Sequence, residues 1–462
     1  MISPADTKSG PPNGTSGLSE GADAFGPVLK RIDPKRLSGF ALSVRRARSP
    51  DIDKKATCEA QLPIHGAYNL VYRLDFSDGV SWAMRIPMGN KERDYEGPHT
   101  RFIDSEVATM QYLRQCTTVP IPEIISWDPT DESVGVPYIL MEWVSGIPVS
   151  KLWFKKNGNT PLEDRRLRIL YGIAEYMSQL SVFSFRTVGS LSASASHRHF
   201  ACSPFNVHNE QADLDAMSND NEPDSGFVRL GPFNSSQKYL KSLLSMQTAP
   251  DLEDDPTCEV EFAAHRLLTI MIECLPSSME PGDSRETFVL AHPDLGYQNI
   301  LAKEDGTITA FIDWDNVHTV PRPLGYARYP SWLTRDWDPE KYTFGLQEYS
   351  DNFENSPEEL EYYRGFYANT MRELRPQPLA DFTTKSHLYE AVWIAAVSPI
   401  SKMRIVKKIF QYVFPPNEKD SLEYGNTLFE IAYKMLEPGS EERIYEAFHR
   451  AFSVSKPRAI WD

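Results

Sequence analysis

Residues 291–299 read Ala-His-Pro-Asp-Leu-Gly-Tyr-Gln-Asn, and residues 311–314 read Phe-Ile-Asp-Trp. These stretches contain three oxygen-bearing side chains, those of Asp294, Asn299 and Asp313, at a spacing suited to phosphoryl transfer. A carboxylate such as that of Asp294 can orient an acceptor hydroxyl, and hard oxygen ligands such as those of Asn299 and Asp313 suit Mg²⁺. The two stretches therefore predict one catalytic and metal-binding unit.

The segment between these stretches has the pattern of a β-hairpin. Ile300–Ala302 and Ile308–Ile312 are apolar, β-prone runs, joined by Lys-Glu-Asp-Gly-Thr at 303–307. A hairpin returns its second strand antiparallel to the first. We therefore expect Asp313 to come back beside Asn299.

The H-x-D-x-x-x-x-N loop and the Ile-Asp-Trp after it resemble the catalytic and magnesium-binding loops of the aminoglycoside phosphotransferase and choline kinase-like family, which has the protein-kinase-like fold. Protein kinases use His-Arg-Asp and Asp-Phe-Gly at these places. This chain has His-Pro-Asp at 292–294 and Asp-Trp-Asp at 313–315, which favours a small-molecule kinase. The resemblance runs from about Leu62 to Pro330 and is greatest to phosphotransferase-domain proteins of filamentous fungi.

The resemblance implies an α+β, bilobal fold, with a small antiparallel β-sheet N-lobe and a mostly helical C-lobe. On this interpretation residues 1–25 are a disordered tail, residues 26–144 are the N-lobe, and residues 145–462 are the C-lobe with the catalytic and metal loops. A polar insertion lies at about 192–227. Because it is rich in Ser, Asn, Asp and Glu, we expect a loop or a disordered lid there.

The resemblance also assigns residues to nucleotide binding. Gly66 and Ala67 precede a predicted hairpin, and their small size would let backbone amides approach phosphates. Arg85 stands where the family usually has a phosphate-binding lysine, and its guanidinium can still direct two donors at phosphate oxygens. Glu106 would pair with Arg85 and hold it in place, with Asp104 as a competitor for that pairing.

A strand at about 138–144 resembles the one that leads into the family's hinge. The resemblance implies that backbone groups of Glu142, Trp143 and Val144 hydrogen-bond the edge of an adenine ring. Together with the phosphate-binding residues, these groups make ATP the expected nucleotide.

Apolar residues at helical spacing predict the helices of the chain. The predicted helices are Thr100–Gln115, Glu163–Phe183, Ser235–Met246, Cys258–Leu275, Pro339–Phe353, Pro357–Leu374, Lys385–Phe414, Leu422–Leu436 and Glu441–Phe452. Between them, Trp332, Asp336, Trp337 and Asp338 could form an aromatic box for an ammonium acceptor. Packing in the core would explain the two tryptophans equally well.

Composition limits the partners. The 48 basic and 64 acidic residues give a formal charge of −16, which argues against a nucleic-acid surface. Five scattered cysteines without a C-x-x-C pair suit a reducing compartment. The chain lacks an apolar run near the roughly 20 residues of a membrane helix, so we expect no membrane partner and a cytoplasmic location.

The resulting hypothesis is an ATP- and Mg²⁺-dependent kinase that phosphorylates a hydroxyl of a small molecule, either a metabolite or an antibiotic-like compound. Two alternatives stay open. A nucleotide-binding pseudokinase or scaffold would keep the fold without turnover, and the Arg85 exchange motivates it. A ligase-type enzyme would use the same ATP site to form another bond.

Overall fold

The computed structural model describes residues 26–66, 68–87, 98–130, 132–192, 201–218, 226–251, 258–279, 284–346, 353–375, 381–415 and 439–454. The predictions for residues 1–25, for Ala67 and for a helix at Leu422–Leu436 fall outside these ranges. The chain divides into two compact units. One comprises residues 1–107, 122–144 and 343–356, and the other comprises 108–121, 145–342 and 357–462.

The first unit is built on an antiparallel sheet of six strands. Its strands are Cys58–Ala60, Ile64–His65, Asn69–Phe76, Ser81–Pro87, Ile124–Asp128 and Tyr138–Glu142. Every second residue of Asn69–Phe76 is buried, as expected when one face of a strand covers a core. The strand pair over 69–87 confirms the predicted hairpin at this position.

A helix at Pro34–Arg48 covers part of this sheet, and the sequence patterns had not indicated it. The side chain of Asp33 accepts a hydrogen bond from the Lys35 N–H at 3.0 Å, and Pro34 occupies the first turn, so the helix has a regular N-cap. Leu37 and Ala41 are fully buried in the core of the unit. Many basic residues on the exposed face conceal this short apolar stripe in the sequence.

The second unit is mostly helical and has several short strand pairs. Its α-helices in the described ranges are Val149–Leu152, Leu162–Ser178, Glu210–Ser218, Ser236–Leu244, Glu259–Cys274, Pro357–Leu374, Asp381–Val397, Pro399–Val413 and Ser440–Phe452, and the helix Pro98–Cys116 passes from the first unit into it. Five of these helices share one apolar core. Because the antiparallel sheet and most of the helices lie in separate parts of the chain, the fold is α+β, as predicted. Among the described residues, none of the helices is both long and apolar enough to span a bilayer.

Strands in the second unit come in small antiparallel groups. They are Ile147–Pro148, Ser190–Ser192, Ala201–Ser203, Phe205–His208, Phe227–Leu230, Phe288–Leu290, Ile300–Ala302, Ile308–Phe311 and Thr319–Pro321. Ile300 pairs with Phe311, and Ile147–Pro148 adds a third strand beside Ile300–Ala302. The hairpin predicted between Asn299 and Asp313 is confirmed.

Two helix predictions are wrong. The predicted helix Lys385–Phe414 is two helices, because Pro399 lacks an N–H and the side chain of Ser398 accepts from the Ser401 N–H at 3.3 Å as a new N-cap. The predicted helix Pro339–Phe353 is absent from residues 339–346, which form turns. Asp338 accepts from the Glu340 N–H through its side chain and from the Lys341 N–H through its carbonyl, and this turn replaces the first helical turn.

The polar insertion also differs from the expected loop or lid where the structure describes it. Ala201–Ser203 pairs with Ser190–Ser192, Phe205–His208 pairs with Phe227–Leu230, and Glu210–Ser218 is a helix. Phe205 accounts for the regular structure of this segment. Its ring is buried, stacks on His318 at a centroid distance of 4.3 Å and contacts Tyr239. Phe205 thus anchors a segment of polar composition, and Val207 and Leu230 pack partly buried against the same core.

Gly189 lies where a side chain would meet backbone, and this gives a stability prediction. An added Cβ would stand 2.5 Å from the Ser203 carbonyl oxygen. We expect Gly189→Ala to lower the free energy of unfolding by about 1–3 kcal/mol. Gly365→Ala is the matched control, because this helical glycine is exposed with open space around its Cβ position, and we expect a gain of about 0.5–1 kcal/mol. Urea unfolding measures the stability change in both variants. Equal changes in Gly189→Ala and Gly365→Ala would contradict the close backbone contact at Gly189.

Candidate active site

The hairpin brings the two motifs together by backbone hydrogen bonds. The Ile312 N–H donates to the Asn299 carbonyl at 2.9 Å, directly beyond the Ile300–Phe311 pair. Asp313 is the next residue, so it follows immediately after the backbone that is bonded to Asn299. The end of the predicted catalytic loop and the start of the predicted metal loop are therefore one hydrogen-bonded unit.

Asp294 is exposed, and two side-chain amides hold its carboxylate. Oδ2 accepts from Gln298 Nε2 at 2.7 Å and from Asn299 Nδ2 at 2.9 Å. Both bonds reach the same oxygen, so Oδ1 can face an acceptor group. Gln298 was not among the residues predicted from the sequence, although an amide side chain four residues after the aspartate in the same loop indicates such a contact.

Asn299 is buried, and its contacts fix which way its amide points. Nδ2 donates to the Asp294 carbonyl at 3.1 Å as well as to the carboxylate. Both partners only accept hydrogen bonds, so the nitrogen must be the atom that faces them. The amide oxygen consequently faces the other way, where it can act as a metal ligand.

Asp313 has an unusual backbone conformation. Its φ angle is 65°, in the left-handed region that few residues other than glycine adopt, although Asp and Asn tolerate it best. Its side chain is exposed, whereas Trp314 is fully buried and its Nε1 donates to the Phe311 carbonyl at 3.1 Å. The buried indole anchors the turn that carries Asp313.

His292 makes a second set of contacts between the two loops. Its Nε2 lies 3.0 Å from the Ile312 carbonyl, and its ring is 4.5 Å from the Trp314 ring. Burial, with a smaller contribution from the Arg328 charge, lowers the pKa of His292 from 6.5 to about 3. The ring is therefore neutral at pH 7, and Nε2 carries the hydrogen because a carbonyl can only accept.

This depressed pKa predicts a pH dependence of stability. The unfolded chain binds a proton at His292 below about pH 6.5, whereas the folded chain does so only near pH 3. The free energy of unfolding is therefore not reduced by this group above pH 6.5, and it falls as the pH falls below that value. Between pH 6.5 and 5, we expect the free energy of unfolding to fall less steeply in His292→Gln than in wild type. The two slopes should differ by about 1.4 kcal/mol per pH unit. Urea unfolding across this range measures both slopes, and equal slopes would contradict a buried neutral His292.

In the first unit, Arg85 contacts Glu106. Arg85 Nη1 donates to Glu106 Oε1, and the two side chains are 11% and 3% exposed. The competing carboxylate of Asp104 instead accepts from Trp127 Nε1 at 3.1 Å. The guanidinium is thus held by Glu106, in the arrangement that the resemblance implies for the phosphate-binding cation.

The structure shows which backbone N–H groups at Gly66 and in the predicted hinge already have partners. The Gly66 N–H donates to the Asn69 carbonyl at 2.8 Å, so it closes a turn and is not free to approach a phosphate. The Glu142 N–H donates to the Glu123 carbonyl at 2.9 Å, and the Trp143 N–H donates to the Ser81 carbonyl at 3.2 Å. Those two N–H groups are therefore engaged within the first unit. Adenine contact by backbone groups of residues 142–144 stays a prediction, for the Val144 N–H and the carbonyl groups of this segment.

The aromatic box is also wrong, because cations of the chain itself occupy it. Lys408 Nζ lies 5.2 Å from the centroid of the Trp337 ring, and Arg364 binds the Asp336 carboxylate at 2.7 Å. Asp338 accepts from Ser401 Oγ at 3.2 Å. Trp332 is buried against Trp153, with ring centroids 5.4 Å apart. These residues form core packing, as the alternative interpretation held.

The donor set at the loops suits Mg²⁺. The described ranges contain no cluster of three or more His, Cys, Asp and Glu side chains that could bind a metal by themselves. Mg²⁺ is usually held by one or two protein oxygens, with phosphates and waters completing its octahedron. The exposed carboxylate of Asp313 and the outward amide oxygen of Asn299 meet this requirement.

Relatives of known sequence share much of this chain. The protein named Altered inheritance of mitochondria protein 9, mitochondrial, from Clavispora lusitaniae is 22% identical across 90% of this chain and 72% of its own length. A subtelomeric hrmA-associated cluster protein from Aspergillus fumigatus is 27% identical across 62% of this chain. The match spans 61% of that relative, which is less than two thirds of its length.

A match to a protein family covers both loops. A macrolide 2'-phosphotransferase structure from Brachybacterium faecium aligns with 82% of this chain and 98% of its own, at 13% identity and a TM-score of 0.38. The family match is by sequence and extends over residues 59–323, more than half of the chain, from the first strands of the sheet to beyond Asp313. The chain therefore belongs to the phosphotransferase enzyme family.

Proposed function

We propose that the protein is a magnesium-dependent kinase that transfers the γ-phosphoryl group of ATP to a hydroxyl of a small molecule. The acceptor would be a metabolite or an antibiotic-like compound. The observation that carries this proposal is the hydrogen-bonded loop and hairpin that hold Asp294, Asn299 and the backbone preceding Asp313 together. A protein without turnover has no chemical need for all three side chains.

In this proposal Asp294 handles the proton. Its carboxylate accepts a hydrogen bond from the acceptor hydroxyl and takes up the proton as the oxygen attacks the γ-phosphorus. The bond between that phosphorus and the bridging oxygen breaks, and ADP leaves with the electron pair. Gln298 and Asn299 hold Oδ2 of Asp294, which directs Oδ1 at the hydroxyl.

Asn299 and Asp313 would hold the metal. Bound Mg²⁺ supplies charge neutralisation at the phosphates. The left-handed turn at Asp313 and the buried Trp314 keep the carboxylate in one place, which lowers the reorganisation needed at the moment of transfer.

In the first unit, Arg85 would bind phosphate oxygens while Glu106 fixes its guanidinium. Arginine cannot lose its proton in this pairing and can fork two donors, so it replaces the charge of the usual lysine. Val144 remains the residue proposed for adenine contact, and Ala67 for approach to the phosphates.

A labelling experiment tests the proposed function. Purified protein is incubated with MgCl₂, ATP labelled at the γ-phosphate and a cell extract, and the compound that gains the label is identified by mass. We expect a single metabolite to gain one phosphate only when Mg²⁺ is present. Parallel incubations with Asp294→Asn protein exclude kinases carried over during purification.

Other outcomes separate the alternatives. A scaffold would be protected against heat by magnesium-ATP yet would transfer no label. A ligase-type enzyme would release AMP or form a product without the label. The arginine at position 85 and the engaged amide of Gly66 are the features that favour the scaffold.

The cytoplasmic location is also a proposal. The Clavispora lusitaniae relative carries the word mitochondrial in its name, and that label belongs to the relative. Fractionation of cells that express this chain with a C-terminal tag would distinguish the two compartments. The proposed partners remain a small-molecule acceptor, with neither nucleic acid nor membrane.

A further inference from the structure

The backbone around Asp294 is held at consecutive carbonyl groups. The carbonyls of His292 and Pro293 accept from Arg328 Nη2 at 2.6 and 3.0 Å. The carbonyl of Asp294 accepts from Asn299 Nδ2 at 3.1 Å, and that of Leu295 accepts from the Ser331 N–H at 3.0 Å. The peptide planes on both sides of the carboxylate are therefore fixed, three of them by the segment 328–331.

Arg328 is in turn held by a carboxylate on a helix far along the chain. Its Nη1 lies 3.7 Å from Glu390 Oε1, and Thr334 Oγ1 donates to Glu390 Oε2 at 2.9 Å. The side chains of Arg328 and Glu390 are 11% and 7% exposed. A buried ion pair of this kind keeps a guanidinium in one orientation, because leaving either charge alone in the interior is costly.

The charges connect this pair to Asp294 itself. Burial raises the pKa of Glu390 above its ordinary value; the Arg328 cation opposes the rise, and the negative charge of Asp294 adds to it. Glu390 and Asp294 therefore repel each other electrostatically. Arg328 offsets this repulsion, since it pairs with Glu390 and binds the backbone next to Asp294.

We propose that Arg328 and Glu390 are positioning residues for the transfer step: Glu390 orients Arg328, and Arg328 fixes the loop that aims Asp294 at the acceptor. This inference rests on the proposed function for its kinetic consequence. Its structural part, the clamp on residues 292–295, stands without it. Neither residue belongs to the motifs that were recognisable in the sequence.

Three single variants test the clamp. Arg328→Lys keeps the positive charge but cannot reach two carbonyls and Glu390 together, because an ammonium is a single point of donation. Glu390→Gln keeps an acceptor for Thr334 and removes only the charge. Arg364→Lys is the matched control, since Arg364 and Asp336 form a similarly buried pair in the same unit, 14% and 11% exposed, with bonds to Asp336 and Leu333.

Two readouts are measured on each full-length variant. Hydrogen–deuterium exchange of the peptide covering 291–299 should become faster in Arg328→Lys and Glu390→Gln and stay unchanged in Arg364→Lys. With a fixed amount of the cell extract as the source of acceptor, the kcat of ADP release from magnesium-ATP should fall about 100-fold in Arg328→Lys and about 10-fold in Glu390→Gln, with the KM for ATP within about threefold of wild type.

The outcomes separate this inference from the proposed function. The clamp would be overturned if the peptide 291–299 exchanged at the wild-type rate in both Arg328→Lys and Glu390→Gln. It would also be overturned if kcat fell no further in these variants than in Arg364→Lys. A wild-type protein that releases no ADP from magnesium-ATP in the presence of the cell extract would overturn the proposed function, while the exchange measurement still decides whether the clamp exists. If Arg328→Lys fails to fold, Glu390→Gln carries both readouts.

Discussion

Asp294→Asn should lower the rate of phosphoryl transfer by about 10²–10⁴-fold and leave the Kd for ATP nearly unchanged. The asparagine oxygen can still accept from Gln298 and Asn299, so the loop keeps its shape. It cannot take up the proton of the hydroxyl, which is the role assigned to Asp294. Single-turnover transfer of labelled phosphate measures the rate, and fluorescence titration with an ATP analogue measures binding.

Glu304→Gln is the control for this variant. Glu304 is an exposed carboxylate in the connection of the same hairpin, and it pairs with Lys155 at 2.9 Å. Its replacement removes one negative charge from the same unit and should leave the rate within about twofold, as is usual for an exposed ion pair. Turnover in Asp294→Asn equal to that of this control would exclude Asp294 as the group that accepts the proton.

The second large effect is expected at Asp313. Asp313→Asn should lower kcat/KM by about 10²–10³-fold at fixed magnesium and raise the Mg²⁺ concentration needed for half-maximal rate. Asparagine tolerates the left-handed φ angle of 65°, so this variant isolates the loss of charge. Asp313→Ala should be worse, because alanine adds backbone strain of about 1–2 kcal/mol at that position.

A magnesium titration of the rate separates metal binding from general damage. In Asp313→Asn, excess Mg²⁺ should recover part of the lost activity, whereas in Asp294→Asn it should recover none. Urea unfolding without ligands should show Asp313→Asn close to wild type in stability. If the rate lost in Asp313→Asn did not depend on the magnesium concentration, Asp313 would not be a metal ligand.

Local patterns in the sequence were sufficient for the hairpin and for the sheet strands that the analysis named. Two apolar, β-prone runs and a turn at 303–307 determine the pairing of Ile300–Ala302 with Ile308–Phe311, because residue type and turn length are local properties. The break at Pro399 is also predictable from the sequence, since proline without an N–H seldom continues a helix.

Contacts distant along the chain could not be predicted in this way. Arg328 lies 36 residues from His292, and no periodicity indicates that its guanidinium reaches that carbonyl. The burial of Phe205 depends on Tyr239 and His318, so composition alone suggested a loop there.

The central claim is that Asn299 and Asp313 hold the magnesium of a bound nucleotide beside Asp294. A crystal structure of the protein with MgCl₂ and a non-hydrolysable ATP analogue tests it most directly. We expect a metal ion about 2.1 Å from Asn299 Oδ1 and from an Asp313 carboxylate oxygen, with phosphate oxygens completing its shell. A nucleotide whose metal contacts neither side chain would contradict the account.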